Sequence, residues 1–164
     1  MSGRLLTAVR LADLACQGAK ETLLRDLDLS PALYGAMLVL SEEPDLTAAE
    51  IARRCGVTPQ TMSSLLQRLI RKDGVEREAH PQCRHVTTCR LTAPGQTVFG
   101  QADERIRRLE ARLRSTVSPA ELRALKDALQ RIGAAAGELV DEIATAQAEG
   151  DRAAARAVQR LSID

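Results

Sequence analysis

Residues 58–71 read TPQTMSSLLQRLIR. At helical spacing, one face of this stretch collects Gln60, Ser63, Ser64, Gln67 and Arg71, with Thr61 and Arg68 at its edges. That face has no large apolar group to bury. It offers short hydrogen-bonding side chains and guanidinium groups, the chemistry that reads base edges in a DNA groove. Gln60 suits adenine, Ser63 and Ser64 stand beside it, and Pro59 can touch a thymine methyl. The start of the helix, Thr58 to Thr61, presents free backbone N–H groups to a phosphate. Arg53, Arg54 and Arg68 are placed to hold phosphates, and Arg84 to probe a minor groove. An enzyme is disfavoured: both histidines lie within residues 80–85, and there is neither a nucleophile–base constellation nor a glycine-rich phosphate loop.

Charge distribution agrees with this reading. The net charge of +1 over 164 residues is uninformative as a whole. Residues 51–90, however, carry eight basic and three acidic groups, whereas residues 1–50 carry four basic and eight acidic. The basic excess falls on the stretch whose side chains suit a polyanion. Chance clustering on a solvated face is the plainer alternative.

Those residues need a scaffold, and its parts are legible. Thr47-Ala48-Ala49-Glu50 is a capping box opening a short helix over 48–54, with Ile51 and Ala52 inward and Arg53 and Arg54 outward. Gly56 supplies a tight turn, and Thr58-Pro59 caps the next helix, about 59–72, whose inner face is Met62, Leu65, Leu66 and Leu69. Asp73-Gly74 breaks it. Val75–Ala79 and Val86–Leu91 then read as strands joined by a turn over residues 80–85. By period two, Cys89 and Leu91 face the core, while Thr88 and Arg90 face out. The predicted unit is a winged helix-turn-helix.

The flanks are helical. Leu5, Val9, Ala12, Cys16, Ala19, Leu23 and Leu27 stripe a first helix over 4–27. Ser30-Pro31 starts a second, apolar on nearly all sides. Thr92-Ala93-Pro94 caps a helix over about 93–115, and Ser118-Pro119-Ala120-Glu121 opens another to about 148. Gly150-Asp151 reads as a break before a last short helix over 152–162. Single apolar stripes on long helices call for a partner, and a homodimer with a two-fold axis suits a pseudo-palindromic DNA site. Gly133 and Gly137 either permit close helix approach at that interface or are tolerated weak points. The expected organisation is an N-terminal dimerisation helix over 1–30, a winged helix-turn-helix over 31–92 and C-terminal dimerisation helices over 93–164. The fold class is mainly α with a small β-hairpin wing.

The run LTAAEIARRCGVTPQTMSSLLQRLIRKDGVER, followed by RLTAPGQ, resembles the MarR family of bacterial transcriptional regulators. With the helix order on either side, the resemblance spans nearly the whole chain. It implies a triangular homodimer, a recognition helix in the major groove, a wing at the adjacent minor groove, and release from double-stranded DNA by a small ligand or by thiol oxidation. The expected regulator is a homodimeric repressor. Three departures stand out. The family's Asp-x-Arg near the wing tip is Cys83-Arg84-His85 here, so Arg84 or His85 must do the arginine's work and the bracing carboxylate is missing. Ser64 stands where relatives often carry arginine, and Asp73-Gly74-Val75 replaces Gly-Leu-Val.

His80, Cys83, His85 and Cys89 are zinc-ligand types. Cys83 and Cys89 are six residues apart, up to about 20 Å along an extended strand, and Cys89 falls at a core position. No metal and no cofactor are expected. Cys83, near the wing tip, is the cysteine best placed for a redox role, while Cys16 and Cys55 read as packed. An effector pocket would draw on Arg10, Leu14, Tyr34 and Met37, although Tyr34 equally suits a core position with a satisfied hydroxyl. No apolar run is long enough to span a membrane and no signal peptide is recognisable, which points to the cytoplasm. The rival to a DNA-binding regulator is a winged-helix dimer used as a protein-interaction module; an apolar outer face on the 59–72 helix would favour it.

Overall fold

The computed structural model describes residues 4–80 and 83–161, and the side chains of these except 80, 83–86 and 148–161. The elements run in order: α1 (Leu5–Leu24), a 3-10 turn (Arg25–Leu27), α2 (Pro31–Glu42), α3 (Ala48–Cys55), α4 (Pro59–Arg71), β1 (Val75–His80), β2 (Cys83–Leu91), α5 (Ala93–Arg114) and α6 (Pro119–Leu161). The chain divides into two units, Met1–Ala111 and Arg112–Asp164.

In the first unit α2 is the central helix. The Ser30 hydroxyl accepts from the Leu33 N–H and Pro31 takes the first helical position, as the sequence predicts. Leu33, Tyr34, Ala36, Met37 and Leu40 are all buried. Against them pack Leu24 from α1, Ile51 and Ala52 from α3, Met62, Leu65, Leu66 and Leu69 from α4, Val75, Cys89 and Leu91 from the hairpin, and Ala102 and Ile106 from α5. With one phenylalanine and no tryptophan in the chain, aliphatic interdigitation fills this core. Its aromatic element is the Tyr34–Phe99 stack, with ring centroids 5.9 Å apart.

The capping box is formed in full: Glu50 N–H donates to the Thr47 hydroxyl, and the Glu50 carboxylate accepts from the Thr47 N–H at 2.8 Å. Gly56 closes α3 at φ +65°, a conformation that costs glycine least. Three aspartates, Asp28, Asp45 and Asp73, also take positive φ at the ends of elements.

Three expectations are corrected. First, β1 and β2 pair antiparallel out to His80 and Cys83, with a register irregularity between Ala79 and His80, so the ladder overruns much of the expected six-residue turn. Second, Thr88 is buried, not outward. Glu78 lies opposite it, accepts its hydroxyl proton through a backbone carbonyl, and is ion-paired with Arg90 on the same strand face. Third, α6 runs unbroken through Gly150 to Leu161. One glycine costs a helix only about 1 kcal/mol against alanine, and the alanine, glutamate and arginine around it favour propagation once a helix is nucleated. A Cβ on Gly133 or Gly137 would meet nothing within 4 Å in this chain. Among the described residues no helix is long and apolar enough to cross a membrane.

Candidate nucleic-acid interface

The inner face of α4 is closed against α2 and α3, with Met62, Leu65, Leu66 and Leu69 all buried. That packing fixes what points away. Pro59, Gln60, Thr61, Ser64, Gln67, Arg68 and Arg71 are exposed, and Ser63 is half-buried at the margin. The sequence-derived reading face therefore exists as one surface.

Geometry separates its members. Thr58 accepts from the Thr61 N–H at 3.1 Å, and the two threonine hydroxyls are 2.8 Å apart, so both hydroxyls are committed to the helix cap. The Ser64 hydroxyl donates back to the Gln60 carbonyl at 3.2 Å. It keeps acceptor capacity but its proton is occupied. Gln60 is left as the exposed amide at the tip of the face, with both donor and acceptor to offer.

Arg53 and Arg54 occupy the last turn of α3, beside the turn that leads to the α4 N-terminus. Arg53 is exposed. Arg54 pairs with Glu43 at 2.7 Å, and its guanidinium holds the Glu43 carboxyl below the usual glutamate range. To meet a phosphate Arg54 must leave or share that partner, an adjustment the sequence did not foretell. At the other end of α4, Lys72 is tied to the Asp28 carboxylate and backbone carbonyl. The side chains of Arg84, His85 and Cys83 lie outside the described residues.

The hairpin is fastened at its root. Asp45 N–H donates to the Cys89 carbonyl at 3.1 Å, and Cys89 N–H to the Leu46 carbonyl at 2.9 Å, making a one-residue third strand. Above it Arg90 donates to Asp45 Oδ1 from Nε at 3.0 Å and Nη2 at 2.8 Å, and Nη2 also reaches Glu78 at 3.0 Å. Sequence reasoning missed Asp45 and Glu78 as partners and treated Arg90 as merely outward. Asp45 and Arg90 are too far apart in sequence for any spacing rule to link them.

The start of α5 meets the same root. A Cβ at Gly95 would fall 1.9 Å from the Gly74 carbonyl oxygen. The Thr92 hydroxyl caps Gly95 N–H at 3.0 Å and donates to the Asp73 carbonyl. Glycine in RLTAPGQ is thus a backbone-to-backbone contact point.

None of the four expected pocket residues lines the cavity beside the helix-turn-helix. Tyr34 and Met37 are core. The Tyr34 hydroxyl donates to Asp103 at 2.9 Å; burial, then this bond, pushes the Tyr34 pKa well above its usual value. Arg10 and Leu14 are exposed on α1. That cavity, of about 600 Å³, opens between α1, α2 and the helix-turn-helix, with Lys20 and Arg54 among its lining and Leu38, Val39, Val57 and Leu65 as apolar walls. Cys55 also lines it, and burial raises its thiol pKa, as it does for Cys89. Neither is an activated thiolate.

A profile of the MarR family matches residues 27–83. The HTH-type transcriptional repressor Rv2887 of Mycobacterium tuberculosis (strain ATCC 25618 / H37Rv) is 30% identical over 110 residues, covering 67% of this chain and 79% of that one. Among solved structures, the transcriptional repressor CouR bound to a 23-mer DNA duplex superposes with a TM-score of 0.73 at 24% identity, over 79% of this chain and 92% of that one. The Rv2887 complex with p-aminosalicylic acid superposes with a TM-score of 0.62 at 26% identity, over 80% and 99%. With the capped α4, the paired hairpin and these matches in agreement, the chain belongs to the MarR family of winged helix-turn-helix transcriptional regulators.

Proposed function

We propose that the protein is a homodimeric repressor that binds a pseudo-palindromic double-stranded DNA operator and is released by a small aromatic acid. The exposed, polar outer face of α4, held by a wholly buried inner face, carries the reading. Gln60 reads bases, with Pro59, Ser63 and Ser64 beside it. Thr58 and Thr61 shape the N-terminus that meets a phosphate, and Arg53, Arg54 and Arg68 supply further phosphate contacts. Arg84 and His85 serve at the wing. The protein acts in the cytoplasm, where its DNA is, and catalyses no reaction.

Dimerisation is supported by the apolar residues that α1 and α6 leave in solvent: Leu5, Leu6, Leu11, Leu14, Leu125, Leu129, Leu139, Val140 and Ile143 are each about half exposed or more. Release by an acid is supported by the cavity, which joins apolar walls to Lys20 and Arg54, with Glu21 also in its lining and Arg54 paired with Glu43. Rv2887, the relative with a salicylate-type ligand in its structure, makes p-aminosalicylate a suitable first probe. Release by oxidation of Cys83 remains a separate arm of the same test.

The test is selection of bound duplexes from a random pool, followed by fluorescence anisotropy with the selected duplex. Binding in the nanomolar range at moderate salt, weakened by p-aminosalicylate, is the expected result. Failure to bind any duplex at low salt would leave the winged dimer as a protein-interaction module. If diamide leaves DNA affinity unaltered, the Cys83 arm is excluded.

A further inference from the structure

We infer that Arg90 is a positioning residue for the wing: bridging Asp45 and Glu78, it sets the angle between the hairpin and the helix-turn-helix. The inference rests on the DNA-binding reading above and concerns how that surface is aligned.

A two-stranded hairpin is marginal by itself in water. The main-chain tie between this one and the loop before α3 is the Leu46–Cys89 bridge, a single ladder rung beside the core packing of Val75, Cys89 and Leu91. Arg90 adds a side-chain tie across the same junction. Its Nε and Nη2 both meet Asp45 Oδ1, and Nη2 also meets Glu78 Oε2. The guanidinium thus joins the loop before α3 to both hairpin strands. Asp45 is held in turn: it sits at φ +64°, and its N–H is bonded to the Cys89 carbonyl, one residue from Arg90. A planar, multidentate cation between two carboxylates restrains direction as well as distance. The three side chains are each more than a third exposed, so the network contributes little to global stability. Its consequence is orientation.

The charges make the proposal separable from direct DNA contact. Arg90→Ala would weaken DNA binding under either account. Asp45→Asn distinguishes them, because it removes a negative charge. Electrostatics alone would tighten DNA binding, whereas loss of the brace loosens it. Asparagine also tolerates the positive φ of this position, so the backbone survives.

The experiment uses the full chain and a duplex that the wild type selects from a random pool. Asp45→Asn and Arg90→Gln are each expected to raise Kd about tenfold, with hydroxyl-radical protection lost at the flanks of the site and kept at its centre. Arg90→Lys, which keeps the charge without the fork, should fall between them and the wild type. In the free protein, hydrogen exchange at the Asp45 and Cys89 amides should quicken in both variants while α4 amides hold. Unchanged or tighter binding by Asp45→Asn overturns the proposal. So does uniform loss of protection with faster exchange in α4, which marks a folding defect; Glu78→Gln, which removes the second carboxylate alone, guards against that defect being peculiar to position 45. A wild type that selects no duplex overturns the DNA-binding reading itself, and the exchange measurement still decides whether the brace holds the hairpin.

Discussion

Helices α4 and α6 are both amphipathic, and they differ in where the apolar side goes. In α4, Met62, Leu66 and Leu69 are at most 1% exposed, covered by helices of the same chain. In α6, Leu125, Leu129, Leu139 and Ile143 are 45–55% exposed along a helix of 43 residues, about 65 Å. The same pattern of residues therefore has two meanings. A short stripe facing other helices in one chain completes a core. A long one left in water is available for an interface, and the proposed dimer would use it. In the proposed function the reading helix and the assembly helix bury their apolar faces against different partners, so each can be broken without the other.

The largest effect should come from α6. Leu125→Glu with Leu129→Glu places four charges in the two-fold interface of a dimer. Sedimentation should report monomers, and affinity for the selected duplex should fall about 10²–10⁴-fold as bivalency is lost. The thermal transition of residues 4–111 should persist, because α4 keeps its partners. A variant still dimeric, with unaltered affinity, would move the interface off α6.

Gly95→Ala tests the closed side. Its new Cβ would sit 1.9 Å from the Gly74 carbonyl oxygen, so backbone must move. A loss of about 1–3 kcal/mol in chemical denaturation is expected, with the dimer retained at low temperature. Thr47→Ala removes one half of the capping box and should cost about 1 kcal/mol, again without changing the oligomeric state.

The smallest effect concerns Tyr34. Burial and Asp103 raise its pKa in the folded state, so the folded protein keeps the phenol proton more tightly than the unfolded chain does. Its contribution is whole below the ordinary tyrosine value of 10.0 and declines as pH rises beyond it, where the unfolded chain ionises first. Tyr34→Phe should cost about 1 kcal/mol at neutral pH and flatten the alkaline limb of the stability curve. An identical slope in both proteins would mean that another group controls that limb.

Local chemistry made much of the molecule legible in advance. Caps at Thr47, Ser30 and Thr58, the turn at Gly56 and the inner face of α4 depend on neighbours within four residues, and all appear as the sequence implies. The polar face of α4 follows, since whatever is not buried at helical spacing is presented. Reading failed where a distant group intervened. Thr88 looks outward by alternation, yet the Arg90–Glu78 pair shares its face. Arg54 looks free for phosphate until Glu43 is placed beside it. Gly150 looks like a stop because a lone glycine is weighed without the helix already propagating through it.

The sequence by itself determined α4, its caps and its polar face, because hydrogen bonds and periodicity within a few residues specify them. Only the tertiary structure decided how that face is held in relation to the wing. Asp45 meets Arg90 and Gly74 meets Gly95 across 45 and 21 positions of chain. Such meetings are set by how the core packs, and core packing follows from the shapes of many side chains together, which no spacing along the chain encodes.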